Sequence, residues 1–380
     1  MSRVFKGLMI GALSAGTGMA EPVYDSLEAL GEALFFDENL SKNRTQACAT
    51  CHDPDYGFVD PRETEAGRAV SLGDDGVSLG DRTAPTAAYA AFTPEFHINK
   101  DGQYVGGMFW DGREPGLEGQ AGGPPLNPIE MGMPDKASVV ARLMENGDYV
   151  VSFNALFGEG VLGDVEAAYD GMTRAIAAFE RTDVFAPFDS KYDRFLRGEV
   201  DLTREEHMGR VLFFSPQFTN CNLCHQLRRS AVDPRETFSN YEYHNIGVPV
   251  NERVRAVNGS PEKALDKGLL ANPAVDAPIM VGKFKVPTLR NVAVTGPYMH
   301  NGVFEDLRTV VLFYNKYNSK DPQRQINPET GKAFRWPEVA FTLSTAELTE
   351  GPALDDRRID ALVAFMKTLT DSRYEHLLEE

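Results

Sequence analysis

Apolar residues recur at helical spacing in four stretches of the chain, and the four fall into two matching pairs. Leu27, Leu30 and Leu34 run through Gly31-Glu32-Ala33-Leu34-Phe35-Phe36, while Met208, Val211 and Leu212 run through Gly209-Arg210-Val211-Leu212-Phe213-Phe214. Residues three and four apart share one face of a helix, so each run predicts an amphipathic helix. Farther on, Ala175-Ile176-Ala177-Ala178-Phe179 is answered by Ala361-Leu362-Val363-Ala364-Phe365. Between these opening and closing helices the periodicity breaks down. Pro85-Thr86 answers Pro287-Thr288, and Trp110-Asp111-Gly112 answers His300-Asn301-Gly302. Stretches 53–107 and 226–285 are rich in turn residues and poor in strand signals. The chain therefore reads as mostly α and internally duplicated, with a boundary near Gly198 between units 21–198 and 199–380. Repeats of this size mean two domains, not a solenoid.

The first residues have a different pattern. Arg3 and Lys6 precede the apolar run Leu8–Leu13, and Gly18-Met19-Ala20 precedes Glu21. This is the layout of a cleaved export signal over residues 1–20, since the run falls short of the ~20 apolar residues that span a bilayer. No later segment qualifies as a membrane span. The sequence thus predicts a periplasmic protein.

Composition narrows the function. With 380 residues, 42% hydrophobic and 25% charged, the chain is of ordinary globular type. Its formal net charge of −18 argues against nucleic-acid binding, which needs a basic face. All four cysteines lie in two copies of one motif, Cys48-Ala49-Thr50-Cys51-His52 and Cys221-Asn222-Leu223-Cys224-His225. C-x-x-C-H is the attachment motif of c-type haem: two thiols add across the vinyl groups and the histidine becomes the proximal iron ligand. Zinc held by the four cysteines would need short loops between the pairs, and a thioredoxin-like site does not need the histidine. Two covalent haems are therefore expected, one per unit. The order of opening helix, haem motif, irregular wrap and closing helix resembles the cytochrome c fold.

The repeat separates the two haems by what fills the sixth iron position. Counting from Gly112, the chain runs five residues to Leu117 and seven more to Pro124; counting from Gly302, it runs five to Leu307 and seven more to Tyr314. Proline has no side-chain donor and no N–H. The first iron is then open to peroxide or oxygen and the second is closed by Tyr314. Tyr314 also reads as a core tyrosine with a satisfied hydroxyl. Met280, Met299, His244 and His300 compete for the same role, as do His97, Met108, Met131 and Met133 in the first half. Gln120 and Glu130 flank Pro124, and a buried carboxylic acid there would donate a proton as an O–O bond cleaves. Both also read as a solvated loop pair. Trp110 falls between the two halves, either as core or as a carrier of an electron hole.

Residues 48–54, 109–113, 127–131, 243–247 and 285–317 together resemble the dihaem cytochrome c peroxidase/MauG family, over a range from Gly31 to the C-terminus. Val286–Asn291 and Gly296–Gly302 are shared with the peroxidase members, whereas Tyr314 stands where those members place methionine and MauG-type members place tyrosine. The resemblance implies that His52 holds a high-spin haem, that His225 and Tyr314 hold a six-coordinate one, and that Gln120, Pro124 and Glu130 form the distal pocket. It places Trp110 between the haems. It also implies a calcium ion on the carbonyls of Thr295 and Pro297, with Thr83 standing where the family has an asparagine ligand. A surface tryptophan relay of the family is replaced within Ser215–Asn220, where Phe218 is the available aromatic. A tyrosinate ligand favours the higher iron states. The implied function is a peroxide- or oxygen-using oxidase that completes tryptophan tryptophylquinone in precursor methylamine dehydrogenase by long-range electron transfer, through a double-Fe(IV) state. The alternatives are a peroxidase that reduces peroxide to water with a small periplasmic electron-transfer protein as donor, and a non-catalytic electron carrier.

Overall fold

The computed structural model describes residues 22–227, 230, 232–261 and 263–379. The export signal expected over residues 1–20 lies outside them. Twelve α-helices follow in chain order among the described residues: α1 (Leu27–Phe35), α2 (Cys48–Cys51), α3 (Leu117–Ala121), α4 (Lys136–Met144), α5 (Gly147–Phe157), α6 (Val165–Glu180), α7 (Lys191–Leu196), α8 (Arg204–Phe214), α9 (Glu252–Val257), α10 (Leu307–Asn315), α11 (Thr345–Thr349) and α12 (Asp356–Lys367). The fold is mostly helical, as the periodicity predicts. No helix among the described residues is long and apolar enough to cross a membrane.

The four helices read from the sequence form two crossed pairs. α1 starts at Ser26, whose side chain accepts from Ala29 N–H, and buries Leu30, Leu34 and Phe35 against α6. α8 starts with a capping box between Thr203 and Glu206 and packs on α12 in the same manner. One glycine makes each crossing close. A Cβ on Gly31 would lie 1.9 Å from the Ala175 carbonyl oxygen, and one on Gly209 would lie 1.8 Å from that of Ala361. Phenylalanine pairs seal both crossings, Phe35 edge-on to Phe179 at 5.5 Å and Phe213 tilted against Phe365 at 5.3 Å. Fully burying each such ring contributes about 2–3 kcal/mol.

Two hydrophobic clusters result. One runs from Leu30 to Phe185 with Phe188 packed against it, and the other from Tyr192 to Leu369. Packing passes from one to the other between Phe188 and Tyr192, so α7 already belongs with the second cluster. Its Asp193 pairs at 2.5 Å with the fully buried Arg290. Asp371, near the C-terminus, bridges the clusters by accepting from Tyr89 Oη at 2.6 Å and from Asn291 Nδ2 at 2.8 Å.

The stretches 53–107 and 226–285, read as irregular, hold α9 and two short ladders, and a third ladder lies farther on, between α10 and α11. β1 (His97–Ile98) pairs with β2 (Tyr104–Val105), β3 (Tyr243–His244) with β4 (Phe284–Lys285), and β5 (Ile326–Asn327) with β6 (Lys332–Ala333), all antiparallel. At two residues per strand they carry too little period-2 pattern to register in the sequence. Their function is to pin the wrap, most of all at β4.

Candidate active site

Each C-x-x-C-H motif lines its own cavity. Cys48, Cys51 and His52 line one of about 520 Å³, and Cys221, Cys224 and His225 line another of about 220 Å³. Both histidines are held alike. His52 Nδ1 lies 3.2 Å from the Phe58 carbonyl and His225 Nδ1 lies 3.2 Å from the Phe238 carbonyl. Phe58 and Phe238 each adopt φ of +57°, a left-handed conformation that costs a large residue of order 1–3 kcal/mol. A second pair of bonds fixes these turns: Thr86 Oγ1 donates to the Gly57 carbonyl and Thr288 Oγ1 to the Thr237 carbonyl. With Nδ1–H donating to a carbonyl, Nε2 is the free nitrogen of each ring. Burial pushes both imidazoles down, His225 to about 4, so both are neutral and able to bind a metal. A pinned neutral imidazole beside two cavity-lining cysteines is the donor set that covalent haem requires, and the residues present fit that group twice.

The two cavities meet at a seam with its own two-fold character. Lys285 N–H donates to the Trp110 carbonyl at 3.0 Å, and Thr83 N–H donates to the His300 carbonyl at 2.9 Å. Trp110 and His300 occupy matching positions of the repeat, so each half reaches across to the other through the same backbone bond. Trp110 lines both cavities, and its indole N–H donates to the Thr83 carbonyl at 3.0 Å. Lys285 also lines both, and its ammonium donates to the Gly107 carbonyl. Burial lowers that ammonium to about 8, against the pull of Asp111.

The walls above the histidines differ. In the first half, α3 is only five residues long and gives way, through Gly122-Gly123, to a 3₁₀ turn at Pro124–Leu126. Proline cannot continue the helix ladder and disfavours helical geometry in the residue before it. In the second half, α10 continues for nine residues, and Tyr314 lines the cavity from its last turn. Burial pushes the Tyr314 phenol well up from its ordinary range. Gln120, Pro124 and Glu130 all line the first cavity. Burial raises the Glu130 carboxyl above its ordinary value, against the pull of Arg113 and an Asn127 hydrogen bond. A rise in this direction favours the protonated carboxyl, the form that donates a proton.

The alternative ligands are sorted by position. His97 is exposed on β1 and Met133 is buried in the first cluster, and neither lines a cavity; Met280 lies outside the second cavity as well. Met108 and Met131 line the first cavity but pack into hydrophobic clusters. Met299, His244 and His300 line the second cavity beside Tyr314. His300 stacks on Phe284 at 3.6 Å between ring centroids, and His244 sits 3.6 Å from Glu242 and 3.9 Å from Glu347.

Thr83, Thr295 and Pro297 come together at the edge of the first cavity. The Thr83 hydroxyl lies 3.3 Å from the Met299 carbonyl and 3.4 Å from that of His300, and donates to both. Thr219 is buried, with its hydroxyl donating to the Leu212 carbonyl at the end of α8, while Phe218 beside it is exposed. Sequence reasoning missed Lys285 and Glu180, both of which line the first cavity. The available signal for Glu180 was a charged residue on the buried face of α6, next to Phe179.

These twin cavities can be set beside known proteins. A family model described as di-haem cytochrome c peroxidase matches residues 25–201. The methylamine utilization protein MauG of Paracoccus denitrificans is 58% identical over 368 residues, 97% of this chain and 94% of that one. The chain belongs to the dihaem cytochrome c peroxidase/MauG family. Another member, the cytochrome c551 peroxidase of Pseudomonas aeruginosa, is 29% identical over 77% of this chain and 72% of its own. The crystal structure of the diheme peroxidase BthA from Burkholderia thailandensis superposes with a TM-score of 0.80 at 33% identity, covering 92% of this chain and 86% of that one. As a family member the chain is a dihaem oxidoreductase with peroxidase-like chemistry, and it takes two haems.

Proposed function

We propose that the chain is a MauG-type oxidase that completes tryptophan tryptophylquinone in precursor methylamine dehydrogenase, drawing electrons from that protein substrate over a long range. The observation that carries this reading is the asymmetry of the walls: a phenol on α10 in the second cavity, against a proline that breaks the helix in the first. The 58% identity to the Paracoccus protein over nearly the whole chain supports it.

In this reading Cys48, Cys51, Cys221 and Cys224 carry the haems covalently, and His52 and His225 hold the irons. When bound, the haems supply peroxide activation on one side and storage of an oxidising equivalent on the other. Pro124 offers the first cavity no donor atom. Glu130 would hold the proton needed there, and the Gln120 amide would orient the oxidant. Tyr314 would serve as an oxygen donor to the second haem. Trp110, in contact with both cavities, is the bridge between them. Calcium would rest on the carbonyls of Thr295 and Pro297, because the Thr83 hydroxyl is engaged elsewhere. The halves 21–198 and 199–380 would act as two haem-binding units, with α7, at the end of the first range, packed on the core of the second. Export by residues 1–20 places the protein in the periplasm, where cytochrome c attachment and its protein substrate meet.

The test adds peroxide to the haem-loaded protein with precursor methylamine dehydrogenase and follows the quinone absorbance. Appearance of the quinone is the expected result. No quinone, together with rapid peroxide-dependent oxidation of a small periplasmic redox protein, would replace this reading with a peroxidase.

A further inference from the structure

The first cavity contains a second acid that the mechanism above leaves unused. Glu180 ends α6, is 5% exposed and lines the cavity with Cys48, Gln120 and Glu130. Its Oε2 atom is buried without a hydrogen-bond partner. An ionised carboxylate left in that state is costly, and the cost is relieved when the group holds a proton. Burial pushes this carboxyl up to about 8; Arg181 opposes the rise and Glu118 adds to it. The groups that face it are Arg181 at the C-cap of its own helix, Glu118 from α3 and the Cys48 sulfur from α2, which carries no charge once joined to haem.

Two further observations make this more than a buried acid. The repeat places Met366 after Phe365 where it places Glu180 after Phe179, and Met366 lines the second cavity. The acid is therefore found on the side read as reacting with peroxide, and a thioether on the side read as closed. In addition, Arg181 pairs with Glu118 at 2.8 Å, with side chains 46% and 43% exposed. Solvent, a half-exposed ion pair, a buried acid and the cavity thus follow one another along the α3–α6 seam.

We propose that Glu180 is a proton-relay residue, taking protons from solvent past the Glu118–Arg181 pair and holding them for the cavity wall that carries Gln120 and Glu130. The inference rests on the peroxide-reducing reading of the first cavity. Reduction of one peroxide to two waters takes up two electrons, supplied by the protein substrate, and two protons (H₂O₂ + 2 e⁻ + 2 H⁺ → 2 H₂O). Glu130 supplies one proton directly, and Glu180 acts through that wall to supply the other.

The test compares haem-loaded wild type with Glu180→Gln and with Glu180→Met, which carries the residue of the twin position. Three readouts are used: infrared absorption of a protonated buried carboxyl, cyanide affinity against pH, and the rate of reaction with peroxide. Wild type should show a protonated-carboxyl band at pH 7 that fades as pH passes about 8, with an inflection of cyanide affinity at the same pH. Both variants should lose the part of the band that fades near pH 8 together with the inflection, keep the resting haem spectra, and react with peroxide about 10-fold more slowly. A wild type without the band, or variants that keep the inflection and react within twofold of wild type, would overturn the proposal. If wild type does not react with peroxide at all, the functional reading fails, while the band and the cyanide titration still report on Glu180.

Discussion

The two halves share a frame and differ in what lines it. In both, a glycine lets the first helix press on the last, a left-handed phenylalanine presents a carbonyl to the histidine of the C-x-x-C-H motif, and a threonine hydroxyl holds that turn. These features fix where a metal ligand stands. Beyond them the halves diverge: Pro124 against Tyr314, Glu180 against Met366, Trp110 against His300. The first two differences place a polar group on one side and withhold it on the other, and the third sets an indole against an imidazole. In the proposed reading, a duplicated scaffold has kept the parts that would hold a cofactor and changed the parts that would set its reactivity.

The largest test of this contrast exchanges the phenol. Tyr314→Met should raise the potential of the second haem by a substantial part of the roughly 0.8 V that axial ligation spans. Spectroelectrochemistry would measure this, and an unchanged potential would remove Tyr314 from the coordination of that iron. The shared frame is tested by paired substitutions. Gly31→Ala and Gly209→Ala should each destabilise by about 3 kcal/mol, because the new methyl meets a backbone carbonyl in either half. Equal losses in thermal unfolding would show that the crossings are equivalent, whereas a large loss in one alone would break the symmetry.

Next in size is the pH dependence of stability. The Glu180 carboxyl sits at about 8 in the fold against an ordinary 4.5, so the folded state binds a proton that the unfolded chain releases. Its contribution to stability is full below about pH 4.5 and is lost as pH rises through about 8. Glu180→Gln should therefore gain on wild type across that window by on the order of a few kcal/mol. Parallel melting curves at pH 5 and pH 8 would contradict it. Glu130→Gln should slow the peroxide reaction by about 100-fold while leaving the second haem unaffected; stopped-flow rates equal to wild type would rule it out as the proton donor. Smallest is Thr219→Val, which removes the hydroxyl bond to the Leu212 carbonyl and should cost about 1–2 kcal/mol in the second half alone.

Much of this was legible beforehand because it lies in short local patterns. The helix pairs follow from apolar spacing, and the haem-binding motifs follow from adjacent residues whose chemistry has few other uses. Pro124 and Tyr314 were distinguishable because the repeat supplied a ruler for counting from Gly112 and Gly302. The two-residue ladders and α9 escaped because neither is long enough to impose a period. Lys285 escaped because nothing in its neighbours announces a buried amine. The competing methionines and histidines could not be ranked, since ligand choice depends on which side chains face one cavity and which are already held by a neighbour such as Phe284 or Glu242.

Taken alone, the sequence determined the helices of the two crossed pairs, the internal repeat that matches them, and the two C-x-x-C-H motifs that each line a cavity. All of these depend on neighbours within a few positions of one another. Only the folded chain decided that Lys285 joins Trp110 in facing both cavities, that the halves exchange matching backbone bonds at Lys285 and Thr83, and that Glu180 is sealed beneath a surface ion pair. Those relations join residues remote in the chain. Burial and electrostatic environment are set by what packs from elsewhere, and no local pattern encodes that.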